Sequence, residues 1–65
     1  MEMIGKLIKE SGMTQQAIAD KLNISRLSLY NKLKGDYPFT FAEIKTLIKI
    51  LNLNDFQILA LMKEE

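Results

Sequence analysis

Five side chains between positions 26 and 34 have types and spacing suited to one kind of chemistry. They follow one another at steps of one and three residues: Arg26, Leu27, Tyr30, Asn31 and Lys34. On an α-helix this spacing places all five within about 140° of arc. A guanidinium or an amide can bridge two groups on a base edge, and an apolar side chain can contact a thymine methyl. The set suits the major groove of DNA, although a solvated helix face is the alternative interpretation.

Five short helices are predicted to position this face. Good N-cap residues recur along the chain, each between two apolar residues at the spacing of a hydrophobic staple: Thr14, Ser25, Thr40 and Asn54. Residue types that tolerate a left-handed C-terminal turn also recur: Gly12, Asn23, Gly35 and Asn52. Together they predict helices over 2–11, 15–22, 26–34, 41–51 and 55–64, with Glu43 and Gln57 completing capping boxes for the last two.

The turn between the second and third helices is expected to be rigid. Asn23 can end one helix in a left-handed conformation, and Ser25 can cap the next. Ile24 supplies apolar bulk at the corner, and Ala19 is small where two helix backbones must approach. Such a turn holds one short helix across another.

Apolar residues at helical spacing supply one core, and no stretch alternates with period two for long enough to indicate a strand. The expected core residues in the first four helices are Met3, Ile4, Leu7, Ile8, Ile18, Ala19, Leu22, Leu29, Ile44, Leu47, Ile48 and Leu51. Sixty-five residues form one domain, so the prediction is a single all-α domain over 1–65.

Composition restricts the possible functions. The chain has no histidine and no cysteine, and its carboxylates are scattered, so an enzyme, a metal site or a cofactor is not expected. No apolar run is long enough to cross a membrane, and the N-terminus lacks a signal-peptide pattern, which favours the cytoplasm. The net charge is only +1, but between positions 14 and 35 four cations face one acid, which gives +3.

The stretch TQQAIADKLNISRLSLYNKLKG resembles the helix-turn-helix of the phage repressor and Cro family. The resemblance covers nearly the whole chain. It implies a compact five-helix, repressor-like domain in which helices 2 and 3 form the helix-turn-helix. It also implies a sequence-specific regulator of transcription that binds double-stranded DNA, such as a phage-type repressor or Cro-like protein, and acts by occupying an operator with helix 3 in the major groove.

The resemblance also assigns roles to particular residues. Arg26, Leu27 and Asn31 match the principal base-contacting positions, and Tyr30 is a neighbour that reaches a base or the backbone. At the start of helix 2, Gln15 matches a phosphate-contacting position. The remaining expected DNA-binding residues are Gln16, Lys34 and Tyr37. For the two glutamines, ordinary polarity at a helix start is the alternative, and Asp36 is expected only to form a turn.

One departure from the family's pattern concerns helix 3. Lys32 stands where relatives carry an apolar residue, and Leu33 stands where they carry a polar one. We expect Leu33 to be the apolar anchor, and Lys32 to bury its stem while its amine reaches solvent.

Helix 5 has more apolar residues than one face of a small domain requires. Ile58, Leu61 and Met62 are expected to complete the core. The surplus residues Phe56, Leu59 and Ala60 then predict a homodimer interface, unless the last helix is deeply wrapped into a thin core. No small-molecule effector is evident. A protein-interaction module that binds another regulator or a recombinase is the alternative function.

Overall fold

A computed structural model describes residues 2–64 of the chain. The chain forms five α-helices: α1 (Glu2–Ser11), α2 (Gln15–Leu22), α3 (Arg26–Lys34), α4 (Phe41–Ile50) and α5 (Asp55–Glu64). No strand occurs among these residues. The predicted all-α architecture is confirmed, and only the end of α4 differs, by one residue.

The predicted N-caps of α2, α3, α4 and α5 are confirmed by hydrogen bonds. The hydroxyls of Thr14, Ser25 and Thr40 each accept a backbone N–H from the first turn of the helix that follows. Asn54 and Gln57 form a reciprocal capping box, with bonds of 2.8 and 2.9 Å between side chain and backbone. These bonds satisfy amide groups that have no partner within their own helix.

The residues expected to end helices all adopt the left-handed conformation. Gly12 and Gly35 have φ of 78° and 93°, and Asn23 and Asn52 have φ of 60° and 53°. Leu51, at φ −88° and ψ −5°, is the C-cap of α4, so this helix ends one residue earlier than predicted.

One apolar core holds the five helices together. Its buried residues come from all five helices and from the loop before α4: Ile4, Ile8, Ile18, Ala19, Leu22, Leu29, Phe39, Leu47 and Leu61. Helix α2 packs against α3 and α4, and α1 packs against α5 and α3. Helix α3 thus packs against two neighbours and keeps one side turned outward. No helix within residues 2–64 has the length and apolar character needed to span a membrane.

Two expectations about α5 are wrong. Met62, expected in the core, is 57% exposed. Ala60, expected at a free surface, is half-buried in a groove between α1 and α5. The reason is that α5 packs against α1, so the side facing α1 includes Ala60, and Met62 falls at the outer edge. Phe56 and Leu59 are exposed, as expected.

Candidate nucleic-acid interface

A short turn between α2 and α3 fixes how the two helices meet. Asn23 is left-handed, with φ 60° and ψ 41°, and its N–H donates to the Asp20 carbonyl at 3.1 Å. The next N–H, of Ile24, donates to the Ala19 carbonyl at 3.0 Å. The Ser25 hydroxyl then accepts the third N–H of α3 at 3.0 Å. These bonds all lie within the turn and the adjoining ends of α2 and α3, so they hold the two helices together at the turn.

The contact between α2 and α3 is made by small and branched side chains. Ala19 on α2 and Leu29 on α3 are both fully buried, and Ile24 packs against the core at the corner. The methyl side chain of Ala19 allows close approach of the helices, and Leu29 turns one side of α3 inward. The opposite side of α3 is thereby presented to solvent.

This outward side of α3 carries the residues that were predicted from the sequence to contact DNA. Arg26, Leu27, Tyr30 and Lys34 are exposed, and Leu27 is 67% exposed despite being apolar. Asn31 lies at the edge of this surface and is half-buried. We refer to these five residues as the α3 outer face. It combines two cations, a phenol, an amide and an apolar side chain.

The start of α2 lies beside the start of α3. Gln15, Arg26, Leu27 and Tyr30 together line an open depression of about 490 Å³. The structure therefore brings Gln15 next to the α3 outer face. The N-terminus of α2, with its free backbone N–H groups, is also the positive end of the helix dipole and attracts phosphate groups.

Gln16 has a different environment from Gln15. Its side-chain amide donates to the Asp20 carboxylate at 2.9 Å, one turn along α2. The acid nearby makes this position less favourable for a phosphate than that of Gln15. Gln16 does not line the depression at the start of α3.

The C-terminal end of α3 has one weak ion pair. The Lys34 amine lies 3.3 Å from the Asp36 carboxylate and 5.3 Å from the centre of the Tyr30 ring. Both partners of the ion pair are about half exposed, so the pair contributes little to stability and can open toward another anion. The Asp36 N–H donates to the Asn31 carbonyl at 3.0 Å, in keeping with a turn-forming role. Tyr37 is exposed in the loop that follows.

The amine of Lys32 was expected to reach solvent, but it does not. It donates to both carboxylate oxygens of Glu43, at 2.6 Å each, and the two side chains are only 13% and 11% exposed. Leu33 does pack against the core, as expected. The sequence had indicated Glu43 only as a capping-box residue, and no local pattern connects two positions in different helices.

The carboxyl of Glu43 is held in its charged form. Burial raises its pKa, but hydrogen bonds from Lys32 and from the Thr40 backbone, together with the lysine charge, outweigh burial and hold the pKa below its ordinary value. Glu43 is therefore a fixed anion in the first turn of α4.

Two short helices joined by a tight turn, with the second helix exposed along one side, define the class of helix-turn-helix domains. The chain belongs to the helix-turn-helix family, whose model matches residues 4–57. Comparison with curated proteins and with solved structures gave no significant match. Family membership indicates a DNA-binding domain of the kind found in transcription regulators. Members of this family are generally not enzymes. Among the side chains described for residues 3–63, no group of acidic residues is arranged to hold a metal ion.

Proposed function

We propose that this protein is a sequence-specific transcription regulator of the phage repressor or Cro type. It occupies an operator in double-stranded DNA, with α3 in the major groove. The proposal places the protein in the cytoplasm with the DNA, and needs no cofactor or small-molecule effector. The observation that carries it is the α3 outer face, held outward by the hydrogen-bonded turn at Asn23–Ser25.

The α3 outer face supports base reading at its N-terminal end. Arg26 has the fork of donors that bridges guanine O6 and N7, and Asn31 can bridge adenine N6 and N7. Leu27 is apolar and exposed, and a thymine methyl is a chemically suitable partner. Tyr30 lies between these residues on the helix, within reach of a base or of the backbone.

Contacts to the DNA backbone would surround this base-reading set. Gln15 and the N-terminus of α2 lie beside Arg26 and are suited to binding one phosphate. Lys34 and Tyr37 lie toward the other end of α3 and are suited to further backbone contacts, with Lys34 exchanging Asp36 for a phosphate oxygen. We retain Gln16 as a weaker candidate, because its amide is engaged by Asp20.

We further propose that two copies bind together through α5. Phe56, Leu59 and Met62 are exposed at steps of three residues along this helix, and Phe41 is exposed at the rim of a groove that Met62 also lines. Half-sites on DNA lie about 34–36 Å apart, one helical turn. Two copies, each with extents of 28 × 23 × 19 Å, would therefore hold their α3 helices about this far apart.

The decisive experiment is selection of bound duplexes from a random DNA library at about 0.1–0.15 M salt, followed by sequencing. We expect a two-fold symmetric site with about 10–11 bp between the centres of its half-sites. Enrichment of a single half-site would support DNA reading and contradict paired binding. A folded sample that enriches no sequence would refute the proposed function.

A substitution test then assigns bases to residues. Asn31→Ala should reduce discrimination at one base pair by about 1–3 kcal/mol while other positions keep theirs. Lys49→Ala is the control, because Lys49 is exposed on α4 and outside the proposed interface. Unchanged discrimination in Asn31→Ala would remove this residue from the base-reading set.

The alternative is a protein-interaction module that binds another regulator or a recombinase. The observation that favours it is the exposure of Leu27, Tyr30 and Tyr37 near a lysine whose charge is already paired. Exposed aromatic residues are typical of protein interfaces. The selection experiment separates the two functions, since a protein-binding surface would enrich no DNA sequence.

A further inference from the structure

Apolar contacts alone leave the rotation of α3 about its own axis weakly determined. Leu29 is the one fully buried residue among the nine of this helix, and Leu33, one turn later, is half-buried. These two residues lie about 40° apart around the helix, so the apolar contact of α3 is confined to a narrow strip. Helix α3 packs mainly against α2 and less against α1.

Lys32 lies on the inward side of α3, where another apolar residue would be expected. Its amine instead forms the tight pair with both Glu43 oxygens, at 2.6 Å. Among the side chains of residues 3–63 this is the only salt bridge that joins two helices. The pair therefore ties the inner side of α3, away from the Leu29 contact, to the start of α4.

Glu43 is a rigid attachment point for this tie. Its Oε1 also accepts the Thr40 N–H at 2.8 Å, while the Thr40 hydroxyl accepts the Glu43 N–H at 3.1 Å. The carboxylate is thus held by the capping box at the N-terminus of α4. Lys32 is held from a second side by the buried ring of Phe39, whose centre lies 6.0 Å from the amine.

We propose that Lys32 is a positioning residue that sets the rotation of α3, and thereby sequence discrimination, without touching DNA. The consequence for DNA rests on the proposed function. Side-chain ends lie about 5–6 Å from a helix axis, so a rotation of 10° moves them by about 1 Å. Binding sites tolerate about 0.5 Å of such displacement. A loosened tie between Lys32 and Glu43 therefore degrades base reading by Arg26 and Asn31.

The test compares Lys32→Met, which keeps the stem and removes the bond, with Lys49→Met, which removes the same charge from an exposed site on α4. Dissociation constants are measured for the selected site and for each single-base variant of it, at a temperature where both proteins are folded. We expect Lys32→Met to lower discrimination by about three- to tenfold, roughly half of one bidentate contact. Lys49→Met should weaken binding to all sites equally.

A DNA-independent measurement accompanies this test. Residual dipolar couplings of backbone amides report the orientation of α3 relative to the other helices in free protein. We expect Lys32→Met to change the couplings of α3 while those of α1, α2 and α5 stay as in the unmodified protein. Glu43→Gln, which can keep the bond to Thr40 and loses the charge, serves as the second variant where Lys32→Met folds poorly, and should change the α3 couplings in the same way.

The outcomes separate this inference from the proposed function. Unchanged α3 couplings, or equal loss of affinity for every site in Lys32→Met and Lys49→Met, would show that Lys32 acts only through charge or stability and would overturn the inference. An unmodified protein without sequence preference would refute the proposed function and the DNA consequence together. The α3 couplings would then still decide whether Lys32 orients the helix.

Discussion

Removing the Glu43 side chain should destabilise this domain more than removing any exposed acid. In Glu43→Ala the capping-box bond to the Thr40 N–H is lost, at about 1 kcal/mol. The Lys32 amine also loses both of its bonds to the carboxylate. Bonds to charged groups contribute about 1.5–3 kcal/mol, and the lower part of the range applies because a freed lysine can turn toward water.

The expected total is a loss of about 2–3 kcal/mol in the free energy of unfolding. A core of this size supplies only about 3–5 kcal/mol, so the loss is a large share of it. At about 4–8 °C per kcal/mol, the midpoint of thermal unfolding should fall by about 10–20 °C. Urea and thermal unfolding followed by far-UV circular dichroism measure both quantities.

Glu10→Ala is the matched control, since Glu10 is an exposed acid near the end of α1. It should change stability by no more than about 0.5 kcal/mol. The double variant Glu43→Ala/Lys32→Met should lose less than the sum of the single variants, because both remove the same pair. A loss below about 0.5 kcal/mol in Glu43→Ala, with additive single variants, would refute the reasoning.

Three further predictions concern other parts of the molecule. The pKa of Glu43 is lower in the folded state than its ordinary value of 4.5, so the stability from its charge is present above pH 4.5 and is lost as the pH falls below that value. Thermal melts in acid should therefore show a flatter dependence of stability on pH for Glu43→Gln than for the unmodified protein. An equal pH dependence of the two proteins would contradict this prediction. Ser25→Ala removes the N-cap of α3 and should lower the free energy of unfolding by about 1 kcal/mol in urea titrations, whereas an unchanged midpoint would mean that the cap is dispensable. Leu59→Lys places a charge in the proposed dimer interface and should shift sedimentation from dimer to monomer with an unchanged helical spectrum, and a persistent dimer would exclude this surface.

Local sequence was sufficient to predict the helices and the turn of the helix-turn-helix. Ser25 caps α3 with a bond to an amide three residues away, and Asn23 ends α2 through bonds to the preceding turn. Such bonds span three to five residues, so residue type and spacing are enough to identify them. The outward side of α3 followed from helical periodicity once Leu29 was taken as its inner residue.

The tertiary structure alone decided which distant side chains meet. Lys32 and Glu43 are eleven residues apart in two different helices, and their pairing depends on how α3 lies relative to the start of α4. Likewise, Met62 is exposed and Ala60 is half-buried because of the side on which α5 meets α1. Periodicity defines an apolar side of a helix only to within a residue or two, and the packing of the neighbouring helix determines which residues at its edges are covered.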